Sequence, residues 1–242
     1  MAMTLFLNFF NFLMPDNLIL QIETATAMCS VALSAGGELL AVKELNERNI
    51  HASQITLFID EVMKSAGKSY QDLDAVSVSK GPGSYTGLRI GVSTAKGLCF
   101  ALDIPLISID TLEAMTSGLL QQYEFSSNTL LCPMIDARRM EVYTSIFDTG
   151  LNSIEGVTAK ILDERSFDNY LSEYPMVFFG DGAGKSQNLY STFPNYKFME
   201  FENSASHLST LSLKKFINKE TENVAYFEPF YLKDFIPGLS AK

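Results

Sequence analysis

The stretch Lys80-Gly81-Pro82-Gly83-Ser84-Tyr85-Thr86-Gly87-Leu88-Arg89-Ile90-Gly91 has residue types and spacing that could do chemistry. Asp74 to Ser79 before it reads as a strand, and a long helical pattern follows. Glycines allow close backbone approach there, and Ser84 is placed to cap the helix. A strand, a glycine loop and a capped helix can hold an anion or another backbone. The spacing Gly-x-Gly-x-x-x-Gly is one residue longer than the dinucleotide fingerprint, so a Rossmann loop is not what these residues spell. A second stretch, Phe179-Gly180-Asp181-Gly182-Ala183-Gly184-Lys185-Ser186, ends like a P-loop. Phe179 occupies the first glycine position of that motif, so an ordinary glycine turn carrying a solvated Lys185 is expected. Asp136, Arg138, Arg139 and Glu141 could meet a ligand, but an internal ion-pair network is the expected arrangement.

Metal and nucleophile chemistry have little to build on. His51 and His207 are the only histidines and lie far apart, so they cannot share one helical face as a His-x-x-x-His metal pair must. No metal and no cofactor are expected. His51 precedes a helical pattern and is expected to cap or decorate its start rather than act as a base. Neither histidine lies near a serine motif that would complete a Ser-His-Asp set.

The elements that position these residues are legible in the pattern. Leu18 to Ile22 reads as a buried strand; Cys29 to Ser34 and Leu39 to Leu45 read as a hairpin around Gly36-Gly37. Residues 52–66 place Ile55, Phe58, Ile59, Val62 and Met63 at helical spacing, and residues 86–102 do so with Leu88, Val92, Ala95, Cys99 and Leu102. Gly87 and Gly91, one turn apart on the second helix, are expected to form a bare patch that another helix can approach. A strand at 104–109 is followed by Asp110 and Glu113, spaced to cap a further helix. In the second half, 130–135 and 142–148 read as paired strands, 176–179 as a short buried strand, and 206–217 as an amphipathic helix. Strands alternating with helices in both halves make this an α/β protein.

Composition sets further bounds. With 242 residues, two lobes are a reasonable division, and 47% hydrophobic residues supply material for a core. A net charge of −10 with no basic run argues against independent binding of nucleic acid, which needs clustered Lys and Arg. Cys29, Cys99 and Cys132 are odd in number and lie in apolar runs, the pattern of a reducing cytoplasm. Residues 1–17 form a separate extension. Its apolar run is too short to span a bilayer and lacks the charged start of a signal peptide. An early translation start is expected there, with Met14 as the initiator; the alternative is a short apolar helix.

From Lys80 to Met115 the chain resembles the TsaB (YeaZ) family, bacterial accessory subunits of the tRNA threonylcarbamoyladenosine machinery. The likeness extends to Ile19–Thr26, to Asp136–Tyr143 and faintly to Pro229–Lys233. The resemblance implies a two-lobed fold of the actin, Hsp70 and sugar-kinase type with an abbreviated second lobe, divided here as 18–109 and 110–242. It also implies that the phosphate loops of that fold are degenerate. The first, usually Asp-x-Gly-Thr, reads Glu23-Thr24-Ala25-Thr26; the second reads Asp136-Ala137-Arg138; Gly180 and Gly182 stand where an adenosine-side turn would be. The metal-binding histidines of the catalytic paralogue TsaD fall at Thr111 and Met115. The expected role is therefore a non-catalytic partner of a TsaD-like subunit in forming N6-threonylcarbamoyladenosine at position 37 of tRNAs that read codons beginning with A. A TsaE-like ATPase would join through the complex. The alternative is a phosphotransferase or metallopeptidase of the same fold. The expected partner surface is the helix pair, through Ile55, Phe58, Ile59 and Val62 on the first helix and Leu88, Gly91, Val92, Ala95 and Cys99 on the second. A self-paired dimer through the same helices would compete with it.

Overall fold

The computed structural model describes residues 16–233. The expectations for residues 1–15, including Met14, lie outside the described residues.

Two five-stranded sheets organise the chain. The first comprises β1 (Leu18–Glu23), β2 (Met28–Ala35), β3 (Glu38–Asn46), β4 (Ala75–Gly81) and β5 (Leu106–Asp110), in the order β3-β2-β1-β4-β5. β1 to β3 form an antiparallel meander, and β4 and β5 run parallel to β1. Helices α1 (His51–Ser65) and α2 (Tyr85–Leu102) provide the connections that parallel strands require. Their apolar stripes close over one face of the sheet on Leu20, Ile22, Val31, Val76 and Val78. β1 is buried at every position, as a central strand covered on both faces must be.

The second sheet comprises β6 (Leu130–Asp136), β7 (Glu141–Phe147), β8 (Ser153–Ile161), β9 (Met176–Phe179) and β10 (Tyr196–Met199), in the order β10-β9-β6-β7-β8. β6 and β7 pair antiparallel as expected. The second lobe is abbreviated in its helices rather than in its sheet. α4 (Asp168–Leu171) and α5 (Gln187–Tyr190) have four residues each, and a cluster of Phe167, Phe178 and Tyr190 rings supplies the packing that longer helices would give.

α3 (Thr111–Gln122) lies between the two sheets. Ala114 packs on Ile19, Ile107 and Ile109 of the first sheet, while Leu112, Met115 and Leu119 pack on Leu131, Ile135 and Phe179 of the second. It is buried nearly all round, as a helix with two sheet neighbours must be. The division at 109/110 therefore needs correction on the C-terminal side. After β10 the chain returns to the first sheet through a 3-10 turn (Ala205–Leu208) and α6 (Ser209–Ile217), whose Leu208 and Leu211 join Ile19 and Ile107. Residues 222–230 then lie along the first lobe: Glu222 bridges to Leu106, Lys96 Nζ donates to the carbonyls of Ala225 and Phe227, and the Phe230 amide donates to the Lys80 carbonyl. Among the described residues no helix is long and apolar enough to cross a membrane.

Candidate functional site

The glycine loop and the turn after β1 form one closed unit. Ser84 caps α2, accepting from the Gly87 amide at 3.3 Å. The Ser84 amide donates to the Ala25 carbonyl at 2.7 Å. A Cβ at Gly83 would run into Ala25, one at Gly87 into the Thr24 carbonyl, and one at Gly91 into the Thr24 hydroxyl. The three glycines thus admit the chain's own Thr24-Ala25 turn. The expectation that Gly87 and Gly91 face another helix is corrected on this ground.

Glu23 ends β1 beneath that turn and is 1% exposed. Its carboxylate accepts from the Ala25 amide at 2.6 Å. Burial pushes its pKa up to about 7 against the lowering effect of this bond and of the Ser79 hydroxyl. The Thr24 hydroxyl, buried against Gly91, has no hydrogen-bond partner. Glu23 and Thr24 therefore serve as an internal anchor beneath the glycine loop.

The two loops of the second lobe close on each other as well. The Asp136 amide donates to Asp181 Oδ1 at 2.9 Å, the Arg138 amide donates to Asp136 Oδ1 at 2.6 Å, and the Gly182 amide donates to the Met134 carbonyl at 3.0 Å. Lys185 bridges them, with Nζ 2.8 Å from Asp136 Oδ1 and 2.7 Å from the Glu141 carbonyl oxygen. Lys185 is consequently a half-buried strut, not the solvated cation the glycine turn suggested. Its bonds, with the Arg138 amide, hold the Asp136 carboxyl below the usual range against partial desolvation. Gly180 sits at φ +101°, where a side chain would meet Met134 and Met115, and a side chain at Gly182 would meet Ile135 and Asp136. These amides, at Ala25, Ser84, Gly87, Asp136, Arg138 and Gly182, are spent on the protein's own oxygens. A phosphate would have to displace each bond it used.

The expected ion-pair network forms only in part. Asp136 pairs with Lys185, and Glu141 with Lys233 at 2.5 Å. The Arg138 and Arg139 side chains stand at the β6–β7 hairpin tip without an ion pair among the described residues, on consecutive left-handed residues with φ of 73° and 50°. His51 does not cap α1; its Nε2 donates to the Met28 carbonyl at 3.2 Å, tying the helix start to β2. His207 stacks on Phe201 over Gly118, and desolvation lowers its pKa to about 4. Thr111 and Met115 are buried in α3, and among the described residues no three His, Cys, Asp or Glu side chains gather as metal ligands do.

The residues expected on a partner surface need a second correction. Ile55, Phe58, Ile59 and Val62, with Leu88, Val92, Ala95 and Cys99, are all buried in the first lobe's core, and Gly91 is buried against Thr24. Each helix spends its apolar stripe on its own sheet, so the stripe cannot also meet a partner. The opposite faces remain open. Leu57 of α1 is 53% exposed and Phe100 of α2 85% exposed; Ser93 and Gly97 are also exposed on α2, and among the described residues no atom lies within 4 Å of a Cβ placed at Gly97. Helical spacing marked the apolar stripe of each helix, but not that the sheet would claim it. Phe100, one position past Cys99, was the signal available. Between α2 and the returning chain lies a surface cavity of about 410 Å³, lined by Tyr85, Arg89, Lys96, Phe227 and Tyr231.

Known proteins resemble this chain in sequence and in fold. Residues 42–234 match the family described as TsaD, tRNA N6-adenosine threonylcarbamoyltransferase. The tRNA threonylcarbamoyladenosine biosynthesis protein TsaB of Haemophilus influenzae is 37% identical over 132 residues, 54% of each chain. TsaB of Escherichia coli is 37% identical over 136 residues, 56% of this chain and 57% of its own. The matched stretch thus spans about half the length of these curated relatives. A solved Pseudomonas aeruginosa protein, described as similar to peptidase YEAZ, superimposes with a TM-score of 0.76 at 22% identity, covering 90% of this chain and 100% of that one. That last likeness is one of fold.

Proposed function

Because the chain belongs to the TsaD-type family, in its TsaB (YeaZ) branch, we propose that it is a non-catalytic partner of a TsaD-like subunit in tRNA threonylcarbamoyladenosine formation. The product is the modified adenosine at position 37 of tRNAs that read codons beginning with A. The reaction belongs to the TsaD-like subunit, and this chain contributes surface. A TsaE-like ATPase joins through the assembled complex, which works in the cytoplasm.

The open face of α2 carries this reading. Phe100 stands 85% exposed one turn from Gly97, above which no described residue lies. A bare glycine beside a large apolar side chain lets a partner helix approach closely and gives it a ring to bury. Leu57 extends the surface onto α1. The same face can pair with a second copy, and that dimer would be displaced by the TsaD-like subunit. The closed loops around Glu23, Asp136 and Gly182 support the absence of a reaction of its own. A nucleotide phosphate placed there would compete with amide bonds already made.

Reconstitution tests the assignment. Purified chain is given tRNA transcript, Mg-ATP and threonylcarbamoyl-adenylate, alone or with the TsaD-like subunit of the same organism. The expected result is no modified nucleoside and no ATP turnover from the chain alone, and a rise in product when it joins the other subunit. Product from the chain alone assigns catalysis here. No effect on the other subunit removes the partnership.

A further inference from the structure

Two loops meet at the Asp136 carboxylate, the β6–β7 tip and the Lys185 turn, and the segment between β3 and α1 adds the charge of Arg48. Lys185 bonds to the carboxylate, the Arg138 amide donates to it, and the Arg48 charge acts on it. Lys233 joins the group through Glu141, and both Lys233 and Arg138 act on the Tyr143 phenol. Lys185 and Lys233 thus pair with Asp136 and Glu141, the charges of Arg48 and Arg138 act on the same group, and Arg139 follows Arg138 at the tip. Among the described residues the ion pairs of this group use only the two lysines, and the Arg48, Arg138 and Arg139 side chains are exposed and outside any ion pair. The chain as a whole is strongly acidic, with a net charge of −10.

Arg138 and Arg139 hold left-handed backbones that glycine or asparagine would adopt at less cost. Among the described residues none forms an ion pair with their guanidinium groups. We infer that this arginine tip contacts RNA phosphates, lending its charge to a tRNA held chiefly by the catalytic partner.

The arrangement favours a polymer over a free nucleotide. The loops that would enclose a nucleotide are closed on themselves, whereas the arginines point outward from a hairpin tip and meet an extended chain from outside. Guanidinium groups suit phosphate oxygens through paired N–H donors. A chain with this net charge repels RNA over most of its surface, so its contribution adds to another subunit's grip instead of forming an independent site. This inference rests on the reading that a TsaD-like subunit brings the RNA.

The test uses the full chain in complex with the TsaD-like subunit and an unmodified tRNA transcript, with affinity measured across a range of salt concentrations. The variant is R138G/R139G, which removes both guanidinium groups and suits the left-handed backbone, so the protein should melt no lower than wild type. Protein–protein affinity is measured separately by calorimetry. The expected result is intact assembly with weaker RNA binding, and a log–log salt slope shallower by roughly 1 to 2, the release expected for two lost phosphate contacts. R138K/R139K should keep most of the slope. An unchanged slope in the glycine variant, no RNA binding by the wild-type complex, or loss of protein–protein affinity in place of RNA affinity each overturns the inference. Failure of the wild-type proteins to assemble would instead overturn the proposed function, so the two failures are distinguishable.

Discussion

Burial moves Glu23 and His207 in opposite directions across the same range of pH. Glu23 titrates at about 7 in the fold against 4.5 ordinarily, so its protonated form is the one the fold holds. Its contribution to stability is fully present below pH 4.5 and is lost as pH rises through 7. His207 titrates at about 4 against 6.5, so its neutral form is favoured. Its contribution is present above pH 6.5 and is lost as pH falls through 4. Between pH 4.5 and 6.5 the two slopes oppose each other, each on the order of 1.4 kcal/mol per pH unit. Removing one should expose the other. Glu23→Gln is expected to gain stability with rising pH relative to wild type over that window, and His207→Gln to lose it. Urea unfolding of both variants at pH 5 and pH 6.5 measures this; parallel shifts at the two pH values would mean that neither group titrates as described.

At the scale of elements, the glycines of α2 separate into two kinds. Gly91 admits the Thr24 side chain, so Gly91→Ala forces the β1–β2 turn off the helix and should cost roughly 1–3 kcal/mol, several degrees of melting temperature. Gly97 faces open space, so Gly97→Ala should gain helix propensity, up to about 1 kcal/mol, and raise the melting temperature. Thermal unfolding of the pair decides it, and a fall in both would place Gly97 in a contact as well. This division marks how far the chain could be read without coordinates. The strand before the loop, the Ser84 and Asp110 caps and the β6–β7 pairing follow from local patterns, and local hydrogen bonds realise them. The use of Gly91 does not follow from any local pattern, because it depends on Thr24, which arrives from another part of the chain. β8 was missed because it is an edge strand with mixed burial and no clean alternation. The return of α6 to the first sheet was missed because an amphipathic stripe does not name its partner.

Across the whole molecule, α3 joins two sheets and residues 222–227 bind back along α2 and β5, so α2 is braced from the side as well as beneath. A braced surface presents Phe100 without first having to order itself, which lowers the entropic cost of docking. The central claim is that this surface, on the outward side of α1 and α2, receives the TsaD-like subunit. Isothermal titration of that subunit with wild-type chain, Phe100→Glu and Leu57→Glu tests it most directly, with circular dichroism of each variant to establish that the fold is kept. A charge at the centre of an apolar contact is expected to cost about 2 kcal/mol or more. The account therefore predicts a folded Phe100→Glu protein whose affinity falls about thirty-fold or further, with a smaller loss for Leu57→Glu. A folded Phe100→Glu protein that binds with wild-type affinity would contradict it.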